Sequence, residues 1–268
     1  MKKLSEYVVY LVGCGQMGTA LIQGALDSGR VHSDRLVCIK HGARSTAFAT
    51  STGAQELAVG QDSGVSGPRM ILVAVKPQDV GAALSGFEFR DDDVVVSVAA
   101  GVTVAQLAAW CGPAKIVRSM PNTPSLIGKG VTGVYSETPC GAAIELFDSV
   151  GVVAELKSES LFGALTGISG CGPAYVFMIL EALADGGVKM GLDRATARKI
   201  AAATVEGAAA LATASPAHTA ELKDRVASPG GATIAALAYL ESQGVRSAFI
   251  GAVETAAIRS ASLGEKLS

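Results

Sequence analysis

Short apolar runs rich in β-branched residues recur through the first 157 residues, separated by segments whose apolar positions have helical spacing. Runs of this kind are typical of buried parallel strands, and their alternation with helices indicates a mostly parallel sheet covered on both faces. The pattern predicts seven strands, over residues 8–12, 36–39, 70–75, 94–98, 116–120, 131–135 and 152–156.

From residue 161 onward the strand-like runs stop, and Ala-rich segments with helical periodicity replace them. Asp193 is a plausible N-cap for one of these helices, and Gly191 a plausible stop for the helix before it. We therefore expect an α/β domain over residues 1–160 and an all-helical domain over 161–268. The helices are predicted over residues 172–190, 194–213, 217–227, 230–242 and 245–262.

The composition describes a globular chain with few electrostatic partners. Of its 268 residues, 49% are hydrophobic and 17% charged, and the formal charge of −2 gives no reason to expect nucleic acid or anionic membrane as a partner. The most membrane-like stretch, residues 94–110, is interrupted by Gly101 and favours a strand, a turn and a helix over a membrane span.

Three further features bear on where in the cell the protein is located and on whether it binds a metal. The apolar run that follows the basic N-terminus leads into a glycine turn, which favours a buried first strand over a signal peptide. The five cysteines include no CxxC pair, which suggests the reducing cytoplasm. The three histidines are scattered without metal-ligand spacing, so no metal site is expected.

A glycine-rich turn directly follows the first predicted strand and opens a helix predicted over residues 16–28. In that context the G-x-G-x-x-G pattern indicates a Rossmann dinucleotide site, with helix N–H groups facing a pyrophosphate. The alternative is an ordinary strand-to-helix turn. The predicted cofactor residues here are Gly13, Cys14, Gly15, Gln16, Met17 and Gly18.

A basic loop follows the second predicted strand, where an NAD-specific site usually offers Asp or Glu to the ribose 2′-hydroxyl. This chain has no acid there, and Lys40, His41 and Arg44 are suited to neutralise a 2′-phosphate. We therefore expect NADPH to be the cofactor, with NADH possible. The alternative is a solvated basic loop without a ligand.

Several longer motifs lie along the chain, at Ala74-Val75-Lys76-Pro77-Gln78, residues 118–124 (RSMPNTP), 170–175 (GCGPAY), 182–191 (ALADGGVKMG) and 222–233 (LKDRVASPGGAT). In sequence and order they resemble the motifs of the pyrroline-5-carboxylate reductases, and with the glycine turn they cover the chain nearly from end to end. The resemblance implies a Rossmann domain followed by a helical dimerisation domain.

The resemblance implies roles for individual cofactor residues. Gln16 and Met17 would sit over the pyrophosphate and Lys40 at the adenosine-phosphate end. Lys76 invites a role as acid catalyst, but its place between a strand and a proline favours positioning. The residues implied on the nicotinamide side are Ala74, Val75, Lys76, Pro77, Ala99 and Ala100.

The turn at residues 228–233 is the predicted substrate site. A proline and two glycines expose N–H groups at a helix start, and such a nest binds a carboxylate. Thr233 is the predicted catalytic residue, because its hydroxyl can point at the same ligand. The alternative is a turn that only reverses the chain. The predicted substrate residues are Ser228, Gly230, Gly231, Ala232 and Thr233.

The reaction implied by the resemblance is hydride transfer from NAD(P)H to the C=N bond of 1-pyrroline-5-carboxylate, which gives L-proline. Two alternatives remain. A β-hydroxyacid dehydrogenase shares the two-domain plan, although Lys189, Lys199 and Lys223 lie in no matching catalytic motif. A non-catalytic NADPH-binding regulatory protein would keep the fold without turning over the substrate.

One residue and one segment depart from the family pattern, and a third region bears on how subunits assemble. Cys171 stands where relatives generally have Ser, and residues 61–69 are more glycine-rich than the short helix expected before a Rossmann strand. Residues 201–214 are too rich in small side chains to fill a core alone. They indicate either a helix shared between subunits or a tight intrachain pair, and we expect at least a dimer through the helical domain.

Overall fold

An eight-stranded sheet occupies the first 155 residues of this computed structural model, which describes residues 2–264. The strand order is β3-β2-β1-β4-β5-β6-β7-β8, and every neighbouring pair is parallel except β6 and β7. The strands are β1 (Val8–Val12), β2 (Leu36–Ile39), β3 (Gln55–Leu57), β4 (Arg69–Val73), β5 (Val94–Ser97), β6 (Lys115–Met120), β7 (Gly130–Tyr135) and β8 (Gly151–Glu155).

Helices connect these strands and then make up the remainder of the chain. Short 3-10 turns occur between several elements, and a one-turn π-helix lies at Thr166–Gly170. The α-helices are α1 (Gln16–Asp27), α2 (Ala43–Thr52), α3 (Val80–Leu84), α4 (Val104–Cys111), α5 (Gly141–Asp148), α6 (Phe162–Leu165), α7 (Gly172–Lys189), α8 (Arg194–Ala214), α9 (Thr219–Arg225), α10 (Ala232–Ser242) and α11 (Val245–Gly264).

The sheet is buried on both faces because alternate residues of each central strand point to opposite sides. Val9 and Leu11 of β1 belong to one apolar cluster, which includes side chains of α1 and α5. Val8 and Val12 belong to a second cluster on the other face, together with side chains of α3 and α4. The predicted three-layer α/β arrangement is confirmed.

The strand order changes direction at β1, with β2 and β3 on one side of it and β4 on the other. In open α/β sheets ligands bind at the carboxyl ends of the strands next to such a switch point. The glycine turn after β1 and the segment after β4 both lie at this edge. The topology therefore brings two of the predicted cofactor segments together.

The chain divides into two compact units, one made of Met1–Gly170 with Thr255–Ser268 and the other of Cys171–Glu254. The boundary between them near Glu254 falls inside α11. The expected domain limits at 160 and 161 stay a prediction.

In the helical unit, α7 and α8 pack closely because Gly187 leaves no side chain between them. A Cβ at Gly187 would lie 3.3 Å from the Cβ of Ala197. The buried side chains of this unit are small, namely Ala184, Ala197 and Ala201.

The predicted helix boundaries in this unit hold closely. The Asp193 carboxylate accepts a hydrogen bond from the Thr196 backbone N–H at 3.0 Å, which confirms it as the N-cap of α8. Gly191 follows the last turn of α7 with φ = +100°, a left-handed conformation that ends a helix at little cost for glycine.

Two sequence predictions need correction near β4. The strand predicted over residues 70–75 ends at Val73, because the chain turns into the 3-10 helix Pro77–Asp79. The short strand β3 was not predicted, since two of its three residues are polar and its pairing with β2 is non-local. Residues 61–69 form no helix, and the Tyr10 hydroxyl donates a hydrogen bond to Ser63 Oγ in this loop.

Candidate cofactor and substrate sites

The glycine turn after β1 is shaped by close backbone contacts. Gly13 has φ = +105°, and a Cβ there would lie 2.7 Å from the backbone carbonyl carbon of Ala74. A Cβ at Gly18 would lie 2.5 Å from the carbonyl oxygen of Gly13. Both distances are too short for any side chain, so these two glycines are required by the fold itself.

Gly15 differs from its two neighbours because a Cβ there would meet nothing within 4 Å. It is the N-cap of α1, and its side of the turn is open. Among the residues that the structure describes, the backbone N–H groups of Gln16, Met17 and Gly18 have no hydrogen-bond partner. Open space in front of unpaired helix N–H groups is the geometry that binds a pyrophosphate.

A cavity of about 350 Å³ lies beside this turn at the carboxyl ends of β1, β2 and β4. The structure brings four predicted cofactor residues together on its wall: Gly13, Lys40, His41 and Val75. The Lys40 backbone stays paired to β3 through Leu57, while its side chain is exposed. The cavity therefore places basic groups where Rossmann folds bind the adenosine end of a dinucleotide.

The backbone of the basic loop is fixed by a hydrogen-bond chain. The His41 N–H donates a hydrogen bond to Ser45 Oγ. The Ser45 hydroxyl in turn donates to the Gly42 carbonyl oxygen at 2.8 Å and to Glu56 Oε1 at 3.2 Å. Thr46 donates to the same Glu56 oxygen at 2.8 Å. Across residues 2–264, Lys40 and Arg44 take part in no ion pair, so their charges are free for a ligand.

Arg44 lies on a different wall from Lys40 and His41. It lines a larger open groove over α1 and α2, together with Cys14 and Gln16. Seven of the fifteen predicted cofactor residues thus line one or the other of these two depressions, and the other eight line neither. The glycine turn contributes to both of them.

The segment after β4 lies against the glycine turn. The Ala74 N–H donates to the Val12 carbonyl at 2.7 Å, so Ala74 is held beside the end of β1. Lys76 is exposed and precedes the 3-10 helix that starts at Pro77. After β5, the Ala99 side chain is buried in the apolar cluster, whereas Ala100 is exposed.

Apart from the strand ends Val12 and Ile39, four residues of this cavity were not anticipated from the sequence. Asp79 closely follows the Ala74–Gln78 motif, so a wider view of that motif would have included it. The others come from α3 and from the loop after β3, which carry no local ligand signal. The four are Val59, Asp79, Ala82 and Ala83.

The predicted substrate turn has the geometry of an open helix start. Gly230 has φ = +68°, and Gly231 is the N-cap of α10, with a Cβ position 2.3 Å from Ser228 Oγ. In the described part of the chain, the N–H groups of Ala232 and Thr233 and the Thr233 hydroxyl have no hydrogen-bond partner. Thr233 is exposed, so all of these groups are available to a carboxylate.

Comparison with known proteins is consistent with both halves of this description. Residues 159–263 match the family model "Pyrroline-5-carboxylate reductase dimerisation", and residues 8–101 match "NADP oxidoreductase coenzyme F420-dependent". A pyrroline-5-carboxylate reductase of Pisum sativum is 38% identical over 266 residues, covering 96% of each chain. The chain belongs to the pyrroline-5-carboxylate reductase family.

Solved structures of the family share the fold over nearly the whole chain. The reductase of Coxiella burnetii superposes with a TM-score of 0.89 at 29% identity, covering 98% of this chain and 99% of that one. The reductase of Plasmodium falciparum, solved with NADP bound, gives a TM-score of 0.79 at 28% identity, with coverage of 97% and 99%. The Rossmann half followed by a helical half is confirmed.

Proposed function

We propose that this protein reduces 1-pyrroline-5-carboxylate to L-proline with NADPH. The observation that carries the proposal is that this member of the reductase family has two open helix starts, those of α1 and α10. One faces a cavity with basic side chains, and the other exposes unpaired N–H groups beside a free threonine hydroxyl. The first suits a dinucleotide phosphate and the second suits a carboxylate substrate.

The cofactor residues bind and orient the dinucleotide. Gln16, Met17 and Gly18 offer N–H groups to the pyrophosphate, and Gly15 lets it approach the backbone. Lys40, His41 and Arg44 supply positive charge to the 2′-phosphate. Ala74, Val75, Lys76 and Pro77, with Ala99 and Ala100, line the nicotinamide end, where the buried Ala99 contributes through its backbone.

The substrate residues hold the carboxylate and the ring nitrogen. The Gly230–Gly231 turn directs the N–H groups of Ala232 and Thr233 at the carboxylate, and Ser228 borders the same turn. The Thr233 hydroxyl donates a hydrogen bond to the ring nitrogen when that nitrogen is unprotonated, and accepts one from it when it is protonated. These contacts fix the orientation of the C=N bond. Hydride transfer requires this, because the donor and the acceptor carbon must be aligned.

When bound, NADPH would supply a hydride for the imine carbon. The substrate accepts it with a nitrogen already protonated from solvent, and that proton stays on the nitrogen of the product amine. The protein's part is to bind, orient and exclude water. An imine needs no alcohol to be deprotonated, so the reaction needs no His–Asp pair of dehydrogenase type. Family membership does not favour the β-hydroxyacid dehydrogenase or the non-catalytic alternative.

Self-association is part of the same proposal, since residues 159–263 match a dimerisation model. We infer that the helical segment over residues 161–268 forms the subunit contact and carries the substrate turn. The five cysteines are all free in the structure, and we place the enzyme in the cytoplasm on the basis of that composition.

A turnover assay tests the proposal. Purified protein with NADPH and pyrroline-5-carboxylate should consume NADPH and form proline in equal amounts, measured by absorbance and by chromatography. NADPH binding without proline formation would support the regulatory alternative, and turnover of hydroxyacids with NAD would support the dehydrogenase alternative.

A further inference from the structure

Two adjacent residues of β6 hold the two ends of a loop at the carboxyl edge of the sheet. The loop, residues 98–103, connects β5 to α4 and is called the β5–α4 loop below. It contains Ala99 and Ala100, which are predicted to lie on the nicotinamide side of the cofactor. The two residues that hold it are Arg118 and Ser119, on the strand that pairs with β5. Neither is among the residues predicted to bind cofactor or substrate.

Ser119 holds the beginning of the loop. Its hydroxyl donates a hydrogen bond to the Ser97 carbonyl oxygen at 2.8 Å, and both of these side chains are buried. The Ser97 hydroxyl oxygen in turn accepts a hydrogen bond from the Ala99 N–H at 3.2 Å. On the other side, the Val98 N–H donates to the Val73 carbonyl of β4 at 3.0 Å. The first two residues of the loop are therefore tied to the strands on both sides of β5.

Arg118 holds the end of the loop through Glu159. Glu159 Oε1 accepts a hydrogen bond from Arg118 Nη1 at 2.6 Å and another from the N–H of Val104, the first residue of α4, at 2.8 Å. The guanidinium is itself fixed, because its carbon lies 4.4 Å from the centre of the buried Phe162 ring. A carboxylate is favourable at a helix N-terminus. Arg118 therefore orients Glu159, and Glu159 fixes the beginning of α4.

The middle of the β5–α4 loop is open. Gly101 has φ = +82°, a left-handed conformation that glycine adopts at little cost. Among the residues that the structure describes, the N–H groups of Ala100 and Gly101 make no hydrogen bond, and Ala100 is exposed. Glycine has many conformations available, so the position of Ala100 depends on how firmly the two ends of the loop are held.

We propose that Arg118, Ser119 and Glu159 are positioning residues for hydride transfer, because they fix the β5–α4 loop against the nicotinamide end of NADPH. Their side chains act through the loop backbone rather than on the reacting atoms. Hydride transfer depends on alignment, and a displacement of about 1 Å can lower a rate about 100-fold. The inference rests on the proposed function, which places the nicotinamide at Ala99 and Ala100.

The first experiment tests the hold on the loop without cofactor or substrate. Backbone hydrogen exchange, followed by mass spectrometry, should become at least about tenfold faster over residues 98–104 in Glu159→Ala, because the Val104 N–H loses its partner. Glu159→Gln keeps an oxygen that can accept from Val104 and should exchange like wild type. Ser119→Ala removes one hydroxyl at the other end and should speed exchange over residues 98–100.

The second experiment separates the two ends of the cofactor. Glu159→Ala should lower the single-turnover rate of hydride transfer about 10- to 100-fold, and Ser119→Ala should lower it in the same direction. The Kd of adenosine 2′,5′-bisphosphate, which carries no nicotinamide, should not change in either variant. Glu159→Gln should restore most of the rate. The matched control is Asp148→Ala, which breaks another Arg–carboxylate pair, with a distance of 2.7 Å, and should change neither the rate nor the Kd.

Three results would overturn the inference. The first is wild-type exchange over residues 98–104 in Glu159→Ala, and the second is a wild-type rate of hydride transfer once that exchange has become faster. The third is a weakening of adenosine 2′,5′-bisphosphate binding by the same factor as the rate, since that would indicate a general loss of structure. A wild-type enzyme that does not reduce pyrroline-5-carboxylate would instead contradict the proposed function, and the exchange experiment would not be affected.

Discussion

Thr233 stands in the first turn of α10, directly after a glycine turn whose N–H groups have no partner in the described chain. Its hydroxyl is exposed and makes no hydrogen bond within the same described residues. At the other site, Lys40 and Arg44 are exposed cations without ion pairs in that part of the chain. Each of these side chains lies in or next to a turn, and we propose that each binds a ligand.

Removing the Thr233 hydroxyl should affect turnover more than cofactor binding. A hydrogen bond to a charged group contributes about 1.5–3 kcal/mol, so Thr233→Ala should lower kcat/KM for pyrroline-5-carboxylate about 10- to 100-fold. Thr233→Ser keeps the hydroxyl and serves as the control, with most activity retained. NADPH Kd, measured by fluorescence titration, should hardly change. An alanine variant with wild-type kcat/KM would reduce Thr233 to a helix-start residue.

The basic loop should determine cofactor preference. Because Lys40, His41 and Arg44 replace the acid of an NAD-specific site, wild-type kcat/KM should be higher with NADPH than with NADH. Neutralising Lys40 and Arg44 together, as Lys40→Gln with Arg44→Gln, should narrow that difference mainly through the KM for NADPH. Steady-state kinetics with both cofactors measures it. A wild-type preference for NADH would show that the loop is only solvated surface.

At the scale of elements, the strands are held in register by an ion pair at the end of the sheet opposite the cofactor. Asp93, which is fully buried just before β5, accepts hydrogen bonds from Arg69 Nε at 2.9 Å and Nη2 at 2.5 Å. It also accepts one from the Arg90 N–H at 2.8 Å. The hydrogen bond to the Asp93 carboxylate raises the pKa of the Arg69 guanidinium.

Breaking this pair should destabilise the Rossmann half without touching the site. Asp93→Ala leaves the guanidinium of Arg69, 14% exposed, without its partner, and we expect a loss of about 3–5 kcal/mol in unfolding free energy. The control is Asp148→Ala. The Asp148 carboxylate is 55% exposed in its ion pair with Arg30, so its removal should lower the unfolding free energy by less than about 1 kcal/mol. Urea denaturation measures both, and equal losses would contradict the argument.

The elements differ in how well the sequence predicts them, for physical reasons. β1 and β2 match their predicted limits because their buried apolar runs end at glycine or charged residues. β3 was missed because it depends on pairing with β2 rather than on its own composition. The glycine turn and the Gly230–Gly231 turn carry local signals. The cavity walls at Val59 and Ala82, and the separation of Arg44 from Lys40, follow only from packing.

At the scale of the whole molecule, the helical unit leaves large apolar side chains uncovered. Phe177 of α7, Leu211 of α8 and Tyr239 of α10 are 65%, 57% and 66% exposed. One helical stretch, Glu159–Lys189, has the length and mean hydropathy of a membrane span, and only 11% of its most apolar window is buried within the chain. It lies in the segment that matches the dimerisation model, and a subunit contact accounts for the same surface.

The enzyme should therefore be at least a dimer in solution, with the contact formed by the helical unit. Light scattering coupled to size exclusion measures the mass of the active species. Phe177→Glu should shift the mass toward the monomer and lower activity, because it replaces one of the most exposed apolar side chains of α7 with a charge. Trp110→Glu, at an exposed apolar residue of α4, is the control and should leave the mass unchanged. A monomeric active wild type would contradict the assembly.

The most direct test of the account follows the hydride itself. NADPH carrying deuterium on the transferred face of the nicotinamide C4 is supplied with unlabelled pyrroline-5-carboxylate, and the product is analysed by mass spectrometry and NMR. The account predicts L-proline with one deuterium, located on the ring carbon that was the imine carbon. The account would be contradicted by proline without deuterium, or by oxidation of NADPH without labelled proline.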